Sequence, residues 1–371
     1  MTVYEPSVGG LRAEIERALR CFRCKGLLGW RSNELVCAAC ASRFAAVGRV
    51  IEHTPVSPAD KAAKARPGDP GSYGAWFREG AASYEETHNL TATYSDWIAA
   101  RAKTRLARHS QLPARLALEI GCGTGVHTRG WLHQEMAQFI LATDISPEML
   151  VEAVKGTPSD RVAFFVCDVH DLNLANESVD VVAGGSILHH LLDVRLCLRE
   201  IVRVLKPGGC ALFMEPFYAG NRMLGFMMRF LLGEMRRHGR HRPSRLAAFD
   251  ALVDSWMGNI EYRHQHRTAP EKLETYDDKH LFIRDDLRRI GRDTGFREVE
   301  IASVYEDFSP ERENVMRDIA LDILASLAKE GKIPPLETDP AAVDALSAVS
   351  RTYAEFFLAE HSPSQFCVFV K

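Results

Sequence analysis

The feature that most constrains this 371-residue chain lies at residues 116–126. There an apolar run passes through Glu119 and Ile120 into Gly121, Gly123 and Gly125. The run reads as a short strand, and Val126 opens a helix. Three glycines at alternate positions let the backbone turn at positive φ and come close to a ligand. A dinucleotide fingerprint, G-x-G-x-x-G, would carry its last glycine where this chain has Val126, so a nicotinamide cofactor is disfavoured.

The elements that follow arrive in the order a doubly wound α/β sheet requires. Residues 139–143 read as a second strand ending at Asp144, where a carboxylate can accept both hydroxyls of a ribose. Residues 162–166 form a third strand, followed by Asp168 and Val169. Residues 178–183 form a fourth, leading through Ser186 to His189 and His190. A Lys-Pro-Gly-Gly turn precedes strand five at 211–214. Residues 296–304 read as strand six, and 365–370 as a final antiparallel strand. With 46% hydrophobic residues, the chain can bury one sizeable core plus additions.

Of nine cysteines, four form two C-x-x-C pairs, Cys21 with Cys24 and Cys37 with Cys40. Two such knuckles joined by a hairpin supply four thiolates for tetrahedral zinc, with no position left open, so a structural Zn2+ is expected. A unit this small gains much of its folding free energy from the metal. Cys122, Cys167, Cys197, Cys210 and Cys367 read as small buried hydrophobes.

Residues 54–72 are rich in Pro, Gly, Ala and Asp and read as a linker between a ribbon at 1–53 and a second domain at 73–371. Two insertions interrupt that domain. The first, 217–276, holds a Met- and Phe-rich helix and then a basic run with Arg236, Arg237, Arg240 and Arg242. The helix suits the lining of a hydrophobic ligand site or burial in a core; the basic run suits phosphate, carboxylate or RNA, or a solvated loop. We expect this insertion to act as a lid. The second, 306–363, contains two helices around Pro334 and Pro335, forming a cap over the site or a homodimer contact.

Over roughly residues 80–216 these motifs resemble the class I S-adenosylmethionine-dependent methyltransferases, which implies a Rossmann-like seven-stranded sheet. The resemblance implies that Asp168 meets the adenine amino group and that the backbone amide of Val169 meets a ring nitrogen. Glu119, Gly121, Gly123, Gly125, Asp144 and Ser186 would face the cofactor. The segment from Trp76 to Tyr84 is similar to one that lays its tyrosine over the sulfonium in small-molecule enzymes; as plain chemistry it is also an aromatic helix stripe. The cysteine segment resembles zinc ribbons fused to or partnered with many methyltransferases.

His189 stands at the end of strand four, where open α/β sheets bind ligands, with an ordinary pKa suited to a base or an acceptor ligand. A capping or packing role is the alternative. The absence of N-P-P-Y or D-P-P-Y after strand four disfavours methylation of an amide or adenine amino nitrogen, and no Pro-Cys suggests cytosine C5 chemistry. Net charge is -3, which gives no whole-chain footprint for nucleic acid. No run nears the roughly 18 apolar residues of a membrane span, and a cytoplasmic setting is expected. Three functions follow: methylation of a small-molecule oxygen or nitrogen (carbon less favoured), methylation of RNA gripped by ribbon and arginines, or non-catalytic cofactor binding that recruits a partner.

Overall fold

The computed structural model describes residues 10–21, 23–47, 50–51, 80–88, 90–238, 243–274, 276, 278–305, 314–329 and 340–371. Helix α1 (Gly10–Ala18) leads into four short strands, β1 (Leu28–Arg31), β2 (Glu34–Cys37), β3 (Arg43–Val47) and β4 (Val50–Ile51). The expected linker at 54–72, Trp76 and Phe77, the prolines at 334–335, and Arg240 and Arg242 lie outside the described residues.

The seven strands of the main sheet are β5 (Ala114–Ile120), β6 (Ala137–Asp144), β7 (Val162–Val166), β8 (Val179–Gly185), β9 (Leu205–Pro216), β10 (Glu298–Ser303) and β11 (Ser364–Val370). They lie in the order β7-β6-β5-β8-β9-β11-β10. The first five are parallel, and β11 runs antiparallel between β9 and β10. The chain winds one way from β5 to β7 and the other way from β8 to β9. That reversal opens a crevice at the strand tips between β5 and β8, the usual ligand position in such sheets.

Both faces of the sheet are covered, which is why its strands are almost continuously apolar rather than alternating. In β5, Leu116, Leu118 and Ile120 join one core while Ala117 joins the other. The second core takes Ile98 and Ala102 from α2 (Ala92–Leu106), Trp131 from α3 (Val126–His133) and Leu150 from α4 (Pro147–Gly156). The first takes Cys197, Leu198 and Ile201 from α5 (Val194–Val204). Asp193 caps α5 by accepting from the Leu196 amide, and Ser146 caps α4 by accepting from Met149. Strand five extends beyond the expected 211–214, reaching Glu215 and Pro216.

The N-terminal segment continues this sheet. Strand β4 pairs in parallel with β7, so β1–β4 extend the edge. Leu11, Ile15, Leu35 and Phe44 share a core cluster with Leu116 and Phe165. Beside that edge the Arg20 amide donates to Asn173 O at 2.7 Å, and Ala175 donates to Ala18 O at 2.7 Å. Lys25 Nζ reaches Asp171 Oδ1 at 2.5 Å and Asn173 Oδ1 at 2.6 Å.

The insertions build a third, helical core. Helices α6 (Tyr218–Arg237) and α7 (Pro243–Gln265) follow β9; α8 (Arg284–Thr294) precedes β10; α9 (Val315–Lys329) and α10 (Pro340–Phe356) precede β11. Met227, Met228, Leu231 and Met235 of α6 pack with Phe249, Met316 and Leu346. The Met-rich face expected to line a ligand site is therefore largely spent on helix–helix packing. Phe226 and Phe230 remain exposed. The basic run meets acids from nearby turns: Arg236 pairs with Asp250, and Arg237 with Glu234 at 2.9 Å.

If the N-terminal segment is one body with the sheet, Ile15→Ala should cost about 2–5 kcal/mol. The cost should lower the midpoint of a single thermal transition of the whole chain. A separate, earlier transition confined to the cysteine segment would contradict this.

Candidate active site

The glycine turn adopts the backbone that its residues permit. Gly121, Gly123 and Gly125 have φ of 64°, 53° and 82°, and Gly125 is the N-cap of α3. A Cβ on Gly121 would come within 2.7 Å of the Ile187 side chain, so that position is closed on space as well as on φ. Asp144 ties the turn down: Oδ2 accepts from the Gly123 amide at 2.9 Å and Oδ1 from Ser146 at 2.9 Å. Each oxygen keeps a second lone pair for a sugar hydroxyl.

A cleft opens over this turn, lined by Gly121, Asp144, Asp168, Val169, Ile187 and His190 among others. The register Asp144↔Val166 brings the two strand tips level, which sets Asp168 beside Asp144. Asp168 Oδ1 accepts from the His170 amide at 2.8 Å, fixing the loop. Ser186 is exposed at the end of β8, with φ of 57° and its amide donating to Met214 O. Tyr84, in a single helical turn, packs on Ala81 and on Met149 of α4. Arg129 holds that turn through Glu85 at 2.7 Å.

Glu119 lies beneath the turn, 3% exposed. Oε2 accepts from Thr128 Oγ1 at 2.5 Å, while Oε1 is buried with no partner among the described residues. Burial pushes this carboxyl up to about 7, with the Thr128 hydrogen bond and the Arg129 charge opposing it. Such an orphan acceptor is costly unless a ligand donor meets it. Adenosylmethionine carries an ammonium group that fits this need, and the glycine turn and paired acids fit its nucleoside.

Two groups that sequence reasoning missed surround His189. Glu215, at the end of β9, accepts from the Ile187, Leu188 and His189 amides and sits 2.7 Å from His189 Nδ1. An acid at a strand tip was the available signal, but the expected strand stopped one residue short. Asp278 comes from the segment returning after the lid; its Oδ1 lies 3.4 Å from His189 Nε2 and 3.6 Å from His190 Nδ1. That return is pinned by the Lys279 and His280 amides, which donate to His189 O. Burial lowers the His189 imidazole, but hydrogen bonds to Asp278 and Glu215, with their charges, outweigh it and hold the ring at about 9.

The four paired cysteines converge. Their sulfurs lie within 4.8 Å of one another, Cys21–Cys40 at 3.6 Å and Cys24–Cys37 at 3.4 Å. The edge of a tetrahedral Zn–thiolate site is about 3.8 Å. The two knuckles repeat one geometry. Lys25 and Ala41, each after the second cysteine, have φ of 58° and 56°. Their amides donate to Cys21 O and Cys37 O. A Cβ on Gly26 would crowd both Cys37 Sγ and Cys24 Sγ. The cluster fits zinc.

Residues 118–213 match the family model described as a methyltransferase domain. The chain is 34% identical over 143 residues to 27-O-demethylrifamycin SV methyltransferase of Amycolatopsis mediterranei, covering 37% of this chain and 47% of that protein. It is 32% identical over 137 residues to tRNA U34 carboxymethyltransferase of Hahella chejuensis, covering 36% and 41%. The chain thus spans less than half the length of these two relatives. A Haemonchus contortus phosphoethanolamine N-methyltransferase solved with S-adenosylhomocysteine has 20% identity and a TM-score of 0.47. That comparison covers 86% of this chain and 62% of that one. The cofactor of the methyltransferase family is S-adenosylmethionine. No described helix is long and apolar enough to cross a membrane.

The orphan at Glu119 yields a pH test. Its raised pKa means that the free chain gains stability from the protonated form at low pH and loses it as pH rises through about 7. A cationic ligand prefers the carboxylate, so affinity for adenosylmethionine should rise across the same interval. Glu119→Gln should flatten that rise and weaken binding by about 10–100-fold at pH 8, while making the unliganded chain more stable there. Calorimetry and thermal melts across pH 6–8 check both; an unchanged pH profile in the variant would place the ammonium elsewhere.

Proposed function

We propose that the chain is an S-adenosylmethionine-dependent methyltransferase acting on a small-molecule oxygen or nitrogen acceptor. The observation that carries it is the cleft over the Gly121–Gly123–Gly125 turn, with Asp144 and Asp168 at adjacent strand tips and the buried Glu119 oxygen below. Asp144 would hold the ribose, Asp168 and the Val169 amide the adenine, and Glu119 the ammonium. When bound, the cofactor supplies an electrophilic methyl on sulfur. The chain's own task is to hold a nucleophile in line and keep water out.

The residues after the lid support a small acceptor. The segment that brings Asp278 against His189 and His190 has its backbone bonded to His189, and His190 lines the cleft. Lid and cap share one packed core, which suits an enclosed acceptor better than an open groove for a polymer. The described arginines of the basic run, Arg236 and Arg237, are engaged by Asp250 and Glu234, which weakens their claim as an RNA grip. We assign His189 an acceptor-holding role, Tyr84 and Ser186 the rim of the cofactor site, and the four cysteines a structural zinc. The boundary at residues 54–72 and a homodimer remain part of this proposal.

Labelled adenosylmethionine incubated with the chain and fractionated cell extract should place label in the small-molecule fraction. Label in RNA would move the acceptor to nucleic acid, and label nowhere, with cofactor bound, would favour a non-catalytic role. Asp144→Ala should weaken cofactor binding by about two orders of magnitude or more, since both sugar contacts and the Gly123 tether are lost. It should leave the metal of the cysteine cluster in place, by elemental analysis. Retained affinity would contradict the ribose assignment.

A further inference from the structure

We propose that His189, His190 and Asp278 form a second metal site, separate from the cysteines, that takes a zinc-class divalent cation at the wall of the cofactor cleft. Hydrogen-bond bookkeeping points there. Glu215 already accepts three backbone N–H groups, so it is a fixed acceptor and His189 Nδ1 must carry the proton between them. The Nε2 atom of the same ring then faces Asp278 Oδ1 at 3.4 Å. His190 Nδ1 approaches that same oxygen at 3.6 Å. Ring nitrogens and a carboxylate oxygen converge in this way around a cation.

The spacing suits a metal. The three donor atoms lie within 4.8 Å of one another, and bonds of about 2.1 Å in tetrahedral geometry put donors about 3.4 Å apart. Glu215 supplies the carboxylate behind the histidine that orients a metal-bound imidazole. Two imidazoles and one carboxylate favour zinc, cobalt or iron(II) over magnesium or calcium. Three protein ligands leave a position open, as in catalytic rather than structural sites.

His190 also lines the cofactor cleft, so that open position is within reach of an acceptor there. Resting on the methyltransferase reading, the acceptor class becomes one with a hydroxyl or carboxylate oxygen that can bind the metal. A Lewis acid lowers the pKa of a bound hydroxyl. The O–H bond breaks with its proton passing to water, the oxygen forms the new bond to the methyl carbon, and the S–C electron pair returns to sulfur.

The test is a cobalt(II) titration of the full chain with its cysteine cluster loaded with zinc, read by visible absorption. One equivalent should bind with ligand-field bands and no thiolate charge-transfer band. Asp278→Asn and His190→Ala should each weaken it by about 100-fold. Asp278→Asn should keep the parent's adenosylmethionine affinity. No cobalt beyond that exchanging into the cysteines, or undiminished binding by Asp278→Asn, would overturn the site and leave a proton-bridged ion cluster. Cobalt binding in a parent chain that does not bind adenosylmethionine would uphold the metal site and overturn the acceptor assignment and the methyltransferase reading.

Discussion

The tether between the Gly123 amide and Asp144 Oδ2 is the contact on which the site's geometry depends. It joins the turn after β5 to the tip of β6 and forces a backbone that glycine accepts at low cost. The Cys122 amide adds a second tie to Thr143 O, and Cys167 bonds Asp144 O, linking the β7 tip to the same residue. Three consecutive strand ends are thereby locked level. The cleft can be rigid although most groups that line it sit on loops, because those loops leave directly from paired strand ends.

The cysteine segment extends that rigidity sideways. A parallel sheet with an exposed edge strand invites pairing with other chains, and β4 closes the edge of β7 from within. Lys25, in the first knuckle, bonds Asp171 and Asn173, and Asp171 in turn donates to Asp168 O. The path from the cysteine cluster to the Asp168 loop is therefore a few hydrogen bonds long. An isolated exposed ion pair contributes little; here its effect comes from acting on a loop already pinned by backbone bonds.

Much of this was legible in the sequence because each strand of the doubly wound half ends on a residue with its own chemistry. Glu119 before the glycines, Asp144, and Asp168 after Cys167 mark three tips with little help from propensity. The four cysteines were legible for the same reason, since their spacing is the geometry. What escaped was everything made by distance. Strand β4 is two residues long and pairs with a strand more than a hundred residues away, so no local pattern announces it. Helix α1 hides its apolar face around a buried Glu14, which is held by Arg115 at 2.6 Å and Arg17 at 2.7 Å. The methionines of α6 gave a pattern suited to a ligand site or a helical core, and two of the partner helices that decide between them, α9 and α10, come more than seventy residues after α6 ends.

Asp278 joins these themes. In sequence it is one acid in a polar stretch; in the fold the amides of its neighbours Lys279 and His280 are bound to His189 O, and Phe282 pairs with Phe217 at the root of the lid. The carboxylate facing both histidines is thus placed by backbone bonds of a segment that lies outside the stretch matching the methyltransferase family model.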